Sequence, residues 1–290
     1  MTDTAPVRIA AIQTVSGPVV ADNLAVAGGL VAEAAAAGAR LIALPEYFGI
    51  LGNRDTDKVD AREVPGRGPI QDFLSATARR FGVWLVGGSV PMASPLPGRI
   101  FNACLVYGPD GGLAARYDKI HLFGLDLGAE KFTEAKTIFP GNRVATVDTD
   151  LGRVGLSICY DLRFPELYRA MGAVDLIVVP SAFTATTGEA HWEPLLRARA
   201  IENQCYVLAP AQGGRHPNGR STHGHSLAID PWGRVLAQRD TGPGVVIAEF
   251  DRAEIARVRR ALPALEHRTL PPVPSVSGPS DPTPDPVEPR

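Results

Sequence analysis

The chain has 290 residues, of which 29 are basic and 31 acidic, so its formal net charge at pH 7 is only −2. This balance excludes the basic surface typical of proteins that bind nucleic acid or an anionic membrane. The length is ample for one large α/β domain, and three cysteines are too few for a disulfide framework. A reducing, cytoplasmic compartment is the natural expectation.

The N-terminal segment MTDTAPVRIAAIQT carries an acidic residue early and lacks the basic stretch that opens a signal peptide. It predicts a first strand over residues 7–13. Elsewhere, charges, Gly or Pro interrupt every apolar window before it reaches the length of a membrane span. We therefore expect no membrane segment.

Helix signals follow in chain order. Asp22 and Asn23 predict a helix cap before an Ala-rich run that ends at Gly38, and Pro69 opens a second helix that Gly82 closes. Two further helices are predicted over residues 190–203 and 252–260. The apolar side of the first of these is formed by Leu195, Leu196 and Ile201.

Short apolar runs between turn residues predict the strands. These runs cover residues 41–44, 83–90, 100–107, 113–117, 154–158, 175–180, 205–211, 224–230, 234–237 and 245–250. Several neighbouring strands are separated by helices and others only by turns. The pattern therefore predicts one mixed sheet or two sheets with helices on the outer faces.

One continuous domain over residues 5–265 is the simplest organisation, and a Pro-rich tail, residues 266–290, follows it. The last 21 residues, from Leu270, contain eight prolines and almost no large apolar side chain, so the tail is predicted to be disordered. Inside the domain, residues 118–142 form a long irregular loop, which is usually a functional feature.

Cys159 lies where the apolar run 154–158 ends and a helical pattern opened by Pro165 begins. Loops at the carboxyl ends of strands are where open α/β sheets hold their ligands. A lone cysteine at such a place is more often a packing residue than a nucleophile. The surrounding sequence therefore has to decide between the two.

Three charged residues lie in comparable positions. Glu46 ends the apolar strand LIALP, Lys119 follows a predicted strand, and Glu134 lies in the long loop. A carboxylate can take a proton from a thiol and return it to a leaving amine, while an ammonium stabilises a tetrahedral oxyanion. Taken singly, each residue is more often an ordinary surface group, and Cys104 and Cys205 are core residues by their setting.

Four motifs resemble those of the carbon–nitrogen hydrolase (nitrilase) superfamily. They are Leu44-Pro45-Glu46, Tyr117-Asp118-Lys119-Ile120-His121-Leu122, Phe132-Thr133-Glu134 and the stretch from Gly155 through Cys159 to Glu166. The second motif departs from the family pattern, which usually has a basic residue where Asp118 stands. The resemblance covers residues 7 to about 260.

The resemblance implies an α/β fold, a four-layer α-β-β-α sandwich, in a protein that forms a homodimer or a higher homo-oligomer. It also implies a hydrolase that uses no metal or organic cofactor. Glu46 would be the base, Cys159 the nucleophile, and Lys119 with the Tyr160 N–H the oxyanion donors. Glu134 would orient Lys119, and a primary amide of a small carboxylate-bearing substrate would be hydrolysed to an acid and ammonia through a thioester.

Within the superfamily the segment 190–207 is most similar to the deaminated glutathione amidases, and ω-amidases acting on α-ketoglutaramate or α-ketosuccinamate are the next most similar. Both kinds of substrate carry carboxylates, which Arg163, Arg215 or Arg220 could receive. Phe183 and Thr184 follow the next strand and are further candidates for the pocket wall.

Other functions stay open at this point. An N-carbamoyl amino acid hydrolase, a nitrilase, an acyltransferase and a catalytically silent binding protein could all be built on this fold. His223 and His225 are predicted on one face of a strand with His216 nearby, but they lack the further ligands of a zinc site. No P-loop or dinucleotide motif is present.

Overall fold

The computed structural model describes residues 5–128 and 131–270. Most of the predicted disordered tail, residues 271–290, lies outside the described residues. Within the described part the chain folds into two large β-sheets with helices on both outer sides, and into two small two-stranded sheets.

Seventeen strands and six α-helices are formed by the described residues. The strands are β1 (Val7–Gln13), β2 (Ala39–Ala43), β3 (Trp84–Val86), β4 (Val90–Ala93), β5 (Ile100–Tyr107), β6 (Leu113–Asp118), β7 (Gly124–Asp126), β8 (Lys131–Thr133), β9 (Thr146–Thr149), β10 (Gly152–Leu156), β11 (Leu176–Val178), β12 (Tyr206–Ala209), β13 (Gly213–Arg215), β14 (Ser221–His223), β15 (Ser226–Ile229), β16 (Val235–Arg239) and β17 (Gly244–Phe250). The helices are α1 (Val20–Ala36), α2 (Asp57–Asp60), α3 (Pro69–Phe81), α4 (Pro165–Ala170), α5 (Ala185–Asn203) and α6 (Arg252–Ala261), with 3₁₀ turns at Glu134–Lys136 and Cys159–Arg163.

The first sheet has seven strands in the order β17-β1-β2-β3-β5-β4, and β6 pairs with β5. The second has six strands in the order β16-β15-β12-β11-β10-β9. Strands β1, β2 and β3 run parallel, as do β10, β11 and β12, whereas the outer strands of both sheets are antiparallel. The mixed sheets follow from the alternation of helical crossovers with hairpins.

Alternate residues of β1 show how the layers are stacked. Ile9 and Ala11 belong to the core shared with the second sheet, whereas Ala10 and Ile12 pack with residues of α1 and α3. Successive side chains of a strand point to opposite faces, so the first sheet is covered on one side by helices and on the other by the second sheet. With α4 and α5 packed into the same shared core, the four-layer α-β-β-α prediction is confirmed.

Helix α3 has the predicted bounds, and Gly82 ends it in the left-handed conformation (φ +62°). The prediction for α1 is wrong at its start, because the helix begins at Val20 and Asn23 lies inside it. The Asn23 side chain instead bonds to the N–H and carbonyl of Gly17, both at 2.8 Å, and to the carbonyl of Gly49. It holds a loop together rather than capping a helix.

The predicted strand 83–90 is also wrong, because it is two strands, β3 and β4, separated by a turn. Gly88 has φ +53°, and a Cβ there would lie 2.0 Å from the carbonyl oxygen of Pro45. Only glycine allows the two backbones to approach so closely, next to Glu46. The break therefore shapes the segment that carries the first glutamate.

Helix α5 begins five residues before its predicted start, with Thr184 accepting a hydrogen bond from the Thr187 N–H at 3.3 Å. Its buried face consists of Trp192, Leu196 and Ala200, which are four residues apart. The prediction that Ile201 lies on the apolar side is wrong, because it follows this row by one position and is half exposed. The strands β7, β8, β9, β13 and β14 were missed because they are short and partly polar, and β7 and β8 lie inside the segment 118–142 that was predicted to be an irregular loop.

The predicted strand containing His223 and His225 is interrupted as well. Strand β14 ends at His223, and Gly224 and His225 both have positive φ, at +74° and +52°. The two imidazole rings stack with their centroids 4.3 Å apart. They do not stand on one face of a strand.

Candidate active site

Glu46 follows β2 at a sharp turn, where Tyr47 has φ +57°. Its carboxylate is buried and accepts three hydrogen bonds: from Lys119 Nζ at 2.9 Å, from Asn102 Nδ2 at 2.8 Å and from the Ala182 N–H at 2.9 Å. These donors satisfy a carboxylate that burial alone would strongly disfavour. They come from both sheets, so the position of Glu46 depends on the whole sandwich.

Lys119 lies directly after β6, and its N–H donates to the carbonyl of Asn102 at 3.0 Å. The side chain is fully buried, and its ammonium is 2.9 Å from both Glu46 Oε1 and Glu134 Oε2. A buried ammonium is tolerated only when it is paired and hydrogen-bonded in this way. One lysine therefore joins two carboxylates.

Glu134 opens the 3₁₀ turn of the long loop. Besides Lys119, its carboxylate accepts hydrogen bonds from the Tyr47 hydroxyl at 2.9 Å and the Phe123 N–H at 2.7 Å. Glu134 thus ties the loop 118–142 to Lys119 and Tyr47, and backbone hydrogen bonds of Ile100 with Thr137 and Phe139 pair the end of the loop with β5. The irregular backbone of the loop is ordered around Glu134 by the small β7–β8 hairpin.

Cys159 begins the 3₁₀ turn between β10 and α4, close to the predicted strand-to-helix junction. Its φ is +50°, a left-handed conformation that is strained for a residue with a side chain. The N–H of Cys159 donates to the carbonyl of Pro180 at 2.9 Å, and its side chain lines the cavity together with Glu46. Such strain at a single side chain in a pocket is typical of a functional residue.

The protonation states follow from burial and from the three neighbouring charges. Burial raises the pKa of Glu46 above its ordinary value, and the charge of Glu134 adds to this, although Lys119 opposes both. Burial also disfavours the ammonium of Lys119, but the two carboxylates outweigh it and hold the lysine pKa well above its usual range. Lys119 therefore stays charged, and Glu46 is the carboxylate of the pair whose affinity for a proton is increased.

The pKa of Glu134 is shifted in the opposite direction to that of Glu46. Burial disfavours its charge, but Lys119 together with the Phe123 N–H and the Tyr47 hydroxyl holds its pKa below the ordinary value. Burial and the charge of Glu46 raise the pKa of the Cys159 thiol well above its usual range. The resting site therefore holds a neutral thiol beside a carboxylate able to receive its proton.

The site opens into a cavity whose wall includes residues of the segments that follow β2, β10 and β11. All four residues predicted for substrate contact line it, as do both glutamates and Cys159. The lining residues are Glu46, Tyr47, Phe123, Glu134, Cys159, Tyr160, Arg163, Ala182, Phe183, Thr184, Thr187 and Arg220. Lys119 contributes no surface to the wall, because its side chain is fully buried.

The two further arginine candidates differ. Arg220 lines the cavity, whereas Arg215 lies exposed on β13 and does not. Arg163 lies over the rings of Tyr160 and Phe183, with its guanidinium 5.7 and 5.3 Å from their centroids. The structure thus places two of the three predicted arginines at the site.

Sequence reasoning missed Asn102, which is fully buried on β5 and contacts Glu46 through its side chain and Lys119 through its carbonyl. An amide inside the apolar run IFNACLVY was the only signal. Asp161 was also missed. Its buried carboxylate accepts hydrogen bonds from Tyr117, His121 and the Ile158 N–H, which joins the segment after Lys119 to the segment before Cys159.

The sequence profile of the carbon–nitrogen hydrolase family matches residues 8–260. This chain belongs to that family. It is 42% identical over 271 residues to a deaminated glutathione amidase of Synechocystis sp., covering 91% of this chain and 99% of that protein. It is 39% identical over 264 residues to the omega-amidase NIT2 of Homo sapiens, covering 90% and 94%.

Solved structures agree with this assignment. The carbon–nitrogen hydrolase chain superposes on Saccharomyces cerevisiae Nit3, a member of the nitrilase superfamily, with a TM-score of 0.82 and 30% identity, covering 92% of this chain and 98% of Nit3. The protein is therefore a hydrolase of carbon–nitrogen bonds, of the amidase kind. No helix in the two described ranges is long and apolar enough to cross a membrane.

Proposed function

We propose that this hydrolase cleaves the amide of a small, carboxylate-bearing substrate through a thioester on Cys159. The observation that carries the proposal is the buried group of Glu46, Lys119 and Glu134 against a strained, pocket-lining cysteine. A nucleophile, a base and a fixed positive charge are the parts that acyl transfer from an amide requires.

In the first half-reaction Glu46 takes the thiol proton as Cys159 Sγ attacks the amide carbon. The resulting oxyanion is stabilised by the charge of Lys119 and by the Tyr160 N–H. The C–N bond then breaks, and Glu46 returns its proton to the departing nitrogen. The raised pKa of Glu46 suits it to both roles, because the carboxylate takes up a proton more readily and its protonated form persists closer to neutral pH, where it can be donated to the leaving nitrogen.

In the second half-reaction Glu46 removes a proton from water, which attacks the thioester carbon. The C–S bond breaks, the acid is released, and the proton returns to the thiolate of Cys159. Glu134, whose pKa is held low by Lys119, stays ionised throughout and keeps the lysine charged and in place.

The substrate assignment rests on the relatives and on Arg163. Its guanidinium lines the cavity four residues after Cys159 and is suited to a carboxylate on the acyl part of the substrate. Phe183 and Thr184 complete that wall. We place deaminated glutathione first and the ω-amide α-ketoglutaramate second, because the amidase named for the former is 42% identical and NIT2 is 39% identical.

The two substrates differ in the leaving group that hydrolysis releases. An ω-amide loses ammonia, whereas deaminated glutathione, whose amides are peptide bonds, loses an amine that carries the cysteine. Activity should therefore be followed by assays for ammonia and for the released amine, on both substrates, an N-carbamoyl amino acid and a nitrile. Preference for α-ketoglutaramate would keep the mechanism and change the substrate.

Cys159→Ala should abolish turnover while the circular dichroism spectrum and the unfolding midpoint stay close to wild type. The control is Cys104→Ala, the same change at a fully buried core cysteine, which should keep its activity. A Cys159→Ala enzyme with normal activity would refute the mechanism. Silence on all substrates, with Cys159 inert to iodoacetamide, would favour a binding protein on the same fold.

Two expectations outside the site belong to the same proposal. We infer a reducing, cytoplasmic location, which suits three free cysteines and a mechanism that needs a reduced thiol. We also infer a homodimer or larger homo-oligomer. Sedimentation of the full chain at several concentrations would test the second inference.

A further inference from the structure

Three cationic side chains lie at or beside the cavity without an acidic partner in ion-pair contact among the described residues: Lys58, Arg163 and Arg220. Arg163 contacts the imidazole of His191 at 3.1 Å, and the other two lie over aromatic rings. The acidic side chains of the site, Glu46 and Glu134, are already bonded to Lys119. The three cations are therefore available to an anionic ligand.

Arg163 and Arg220 stand at opposite ends of a row of aromatic rings. Arg163 lies over Tyr160 at 5.7 Å, Tyr160 meets Phe123 at 5.2 Å, and Phe123 meets Phe132 at 5.6 Å. Arg220 lies over Phe132 at 4.8 Å. The two guanidiniums therefore reach the cavity wall from different elements, Arg163 from the 3₁₀ turn after β10 and Arg220 from the β13–β14 hairpin.

Lys58 adds a second positive charge near Arg220. Its ammonium lies 5.7 Å from the ring centroid of Tyr47, whose hydroxyl bonds to Glu134. Burial lowers the pKa of Lys58; the charges of Asp55 and Glu134 oppose this shift, and those of Arg220 and Lys119 add to it. The Asn218 side chain, in the loop that carries Arg220, donates to the Gly52 carbonyl at 2.7 Å, which brings this loop against the segment that leads to Lys58. An anion bound between the two cations would satisfy both groups.

We propose that Arg220 and Lys58 form a second carboxylate subsite, which makes the enzyme selective for amides that carry a carboxylate on the leaving-group side of the scissile bond as well as on the acyl side. This inference rests on the proposed function. Arg163 shares its 3₁₀ turn with Cys159 and suits the short acyl arm. Arg220 reaches the same cavity from the β13–β14 hairpin and suits a leaving group of two residues, which carries its carboxylate up to ~7 Å away from the scissile bond.

The Arg220 side chain can be changed without disturbing the loop that carries it. The Arg220 N–H donates to Asn218 Oδ1 at 3.0 Å, and its carbonyl accepts from the His216 N–H at 2.8 Å. The His216 ring is in turn bonded to Ser16 and Thr222. The loop is thus held by groups other than the guanidinium, and Arg220→Gln should fold normally.

The test compares deaminated glutathione with its glycine methyl ester, which keeps the scissile amide and lacks the leaving-group carboxylate. With the wild-type enzyme, kcat/KM for the acid should exceed that for the ester by about 10- to 100-fold, the range for a charge-assisted hydrogen bond. Arg220→Gln and Lys58→Gln should lower kcat/KM for the acid and change it less than about threefold for the ester, as expected of a pairwise interaction.

Arg215→Gln, an arginine exposed on the same hairpin, is the matched control and should leave both substrates unaffected. Equal losses on acid and ester in Arg220→Gln, or no loss on either, would overturn the second subsite while leaving the amidase proposal standing. If no amide is turned over, calorimetry with Cys159→Ala decides the question. Binding of the acid at least about tenfold tighter than the ester, lost with Arg220→Gln, supports the subsite, and equal binding refutes it.

Discussion

Replacing Asp161 by Asn tests whether the buried carboxylate beside Cys159 holds the site together. Its Oδ1 accepts from the N–H and ring Nδ1 of His121, at 3.1 and 2.7 Å. Its Oδ2 accepts from the Tyr117 hydroxyl at 2.7 Å and the Ile158 N–H at 2.9 Å. Two of these four donors are backbone groups, one on each oxygen.

The substitution exchanges one of the two acceptor oxygens for an NH₂ group. In either orientation of the new amide, this NH₂ group faces one backbone N–H, of His121 or of Ile158, and leaves it without an acceptor. An unsatisfied buried donor costs ~1–3 kcal/mol, and the remaining bonds lose the strengthening that an ionised acceptor gives, ~1 kcal/mol more. We therefore expect Asp161→Asn to lower the free energy of unfolding by about 2–4 kcal/mol.

Urea unfolding, followed by fluorescence and circular dichroism, measures this loss directly. Asp126→Asn is the control, because that carboxylate is mostly exposed and pairs with the exposed Lys131, so the change should act like an ordinary surface substitution. Turnover by Asp161→Asn should fall as well, since Asp161 joins the segments of Lys119 and Cys159. If the free energy of unfolding of Asp161→Asn lies within ~0.5 kcal/mol of the wild-type value, the buried carboxylate does not hold the site together, because that is the range of a surface substitution without special contacts.

Three further predictions follow from the geometry around Glu46. Gly88→Ala should lower the free energy of unfolding by ~3 kcal/mol or more, because its Cβ would meet the Pro45 carbonyl. The control, Gly29→Ala, has open space in α1 and should raise the free energy of unfolding by ~0.5–1 kcal/mol. Urea unfolding measures both changes. Asn102→Ala removes a donor to the Glu46 carboxylate and should move the acid limb of kcat/KM upward by ~1 pH unit, since activity is lost as Glu46 is protonated. Glu134→Gln should lower kcat and move that limb downward, because a negative charge that raises the pKa of Glu46 is removed; a limb that moves upward would contradict this.

The order of helices and strands was largely predictable from local pattern. Helix α3 begins at a proline and ends at a glycine, both of which act through the backbone of their own turn. The turn at Cys159 was predictable for the same reason, because an apolar run stops there and Pro165 opens a helix. Local signals failed where a distant group decided the conformation, as with Gly88 against Pro45 and Asn23 against Gly49.

The candidate site also has features that local sequence predicts and features that depend on distant segments. The motifs around Glu46, Lys119, Glu134 and Cys159 are short, and because each can be read within its own segment, the sequence predicted which side chains form the candidate site. The pairing of one lysine with both glutamates, and the raised pKa of Glu46 rather than Glu134, come from the packing of distant segments. The reason is physical: a pKa depends on burial and on charges that other elements bring within a few ångströms, and no single segment contains that information.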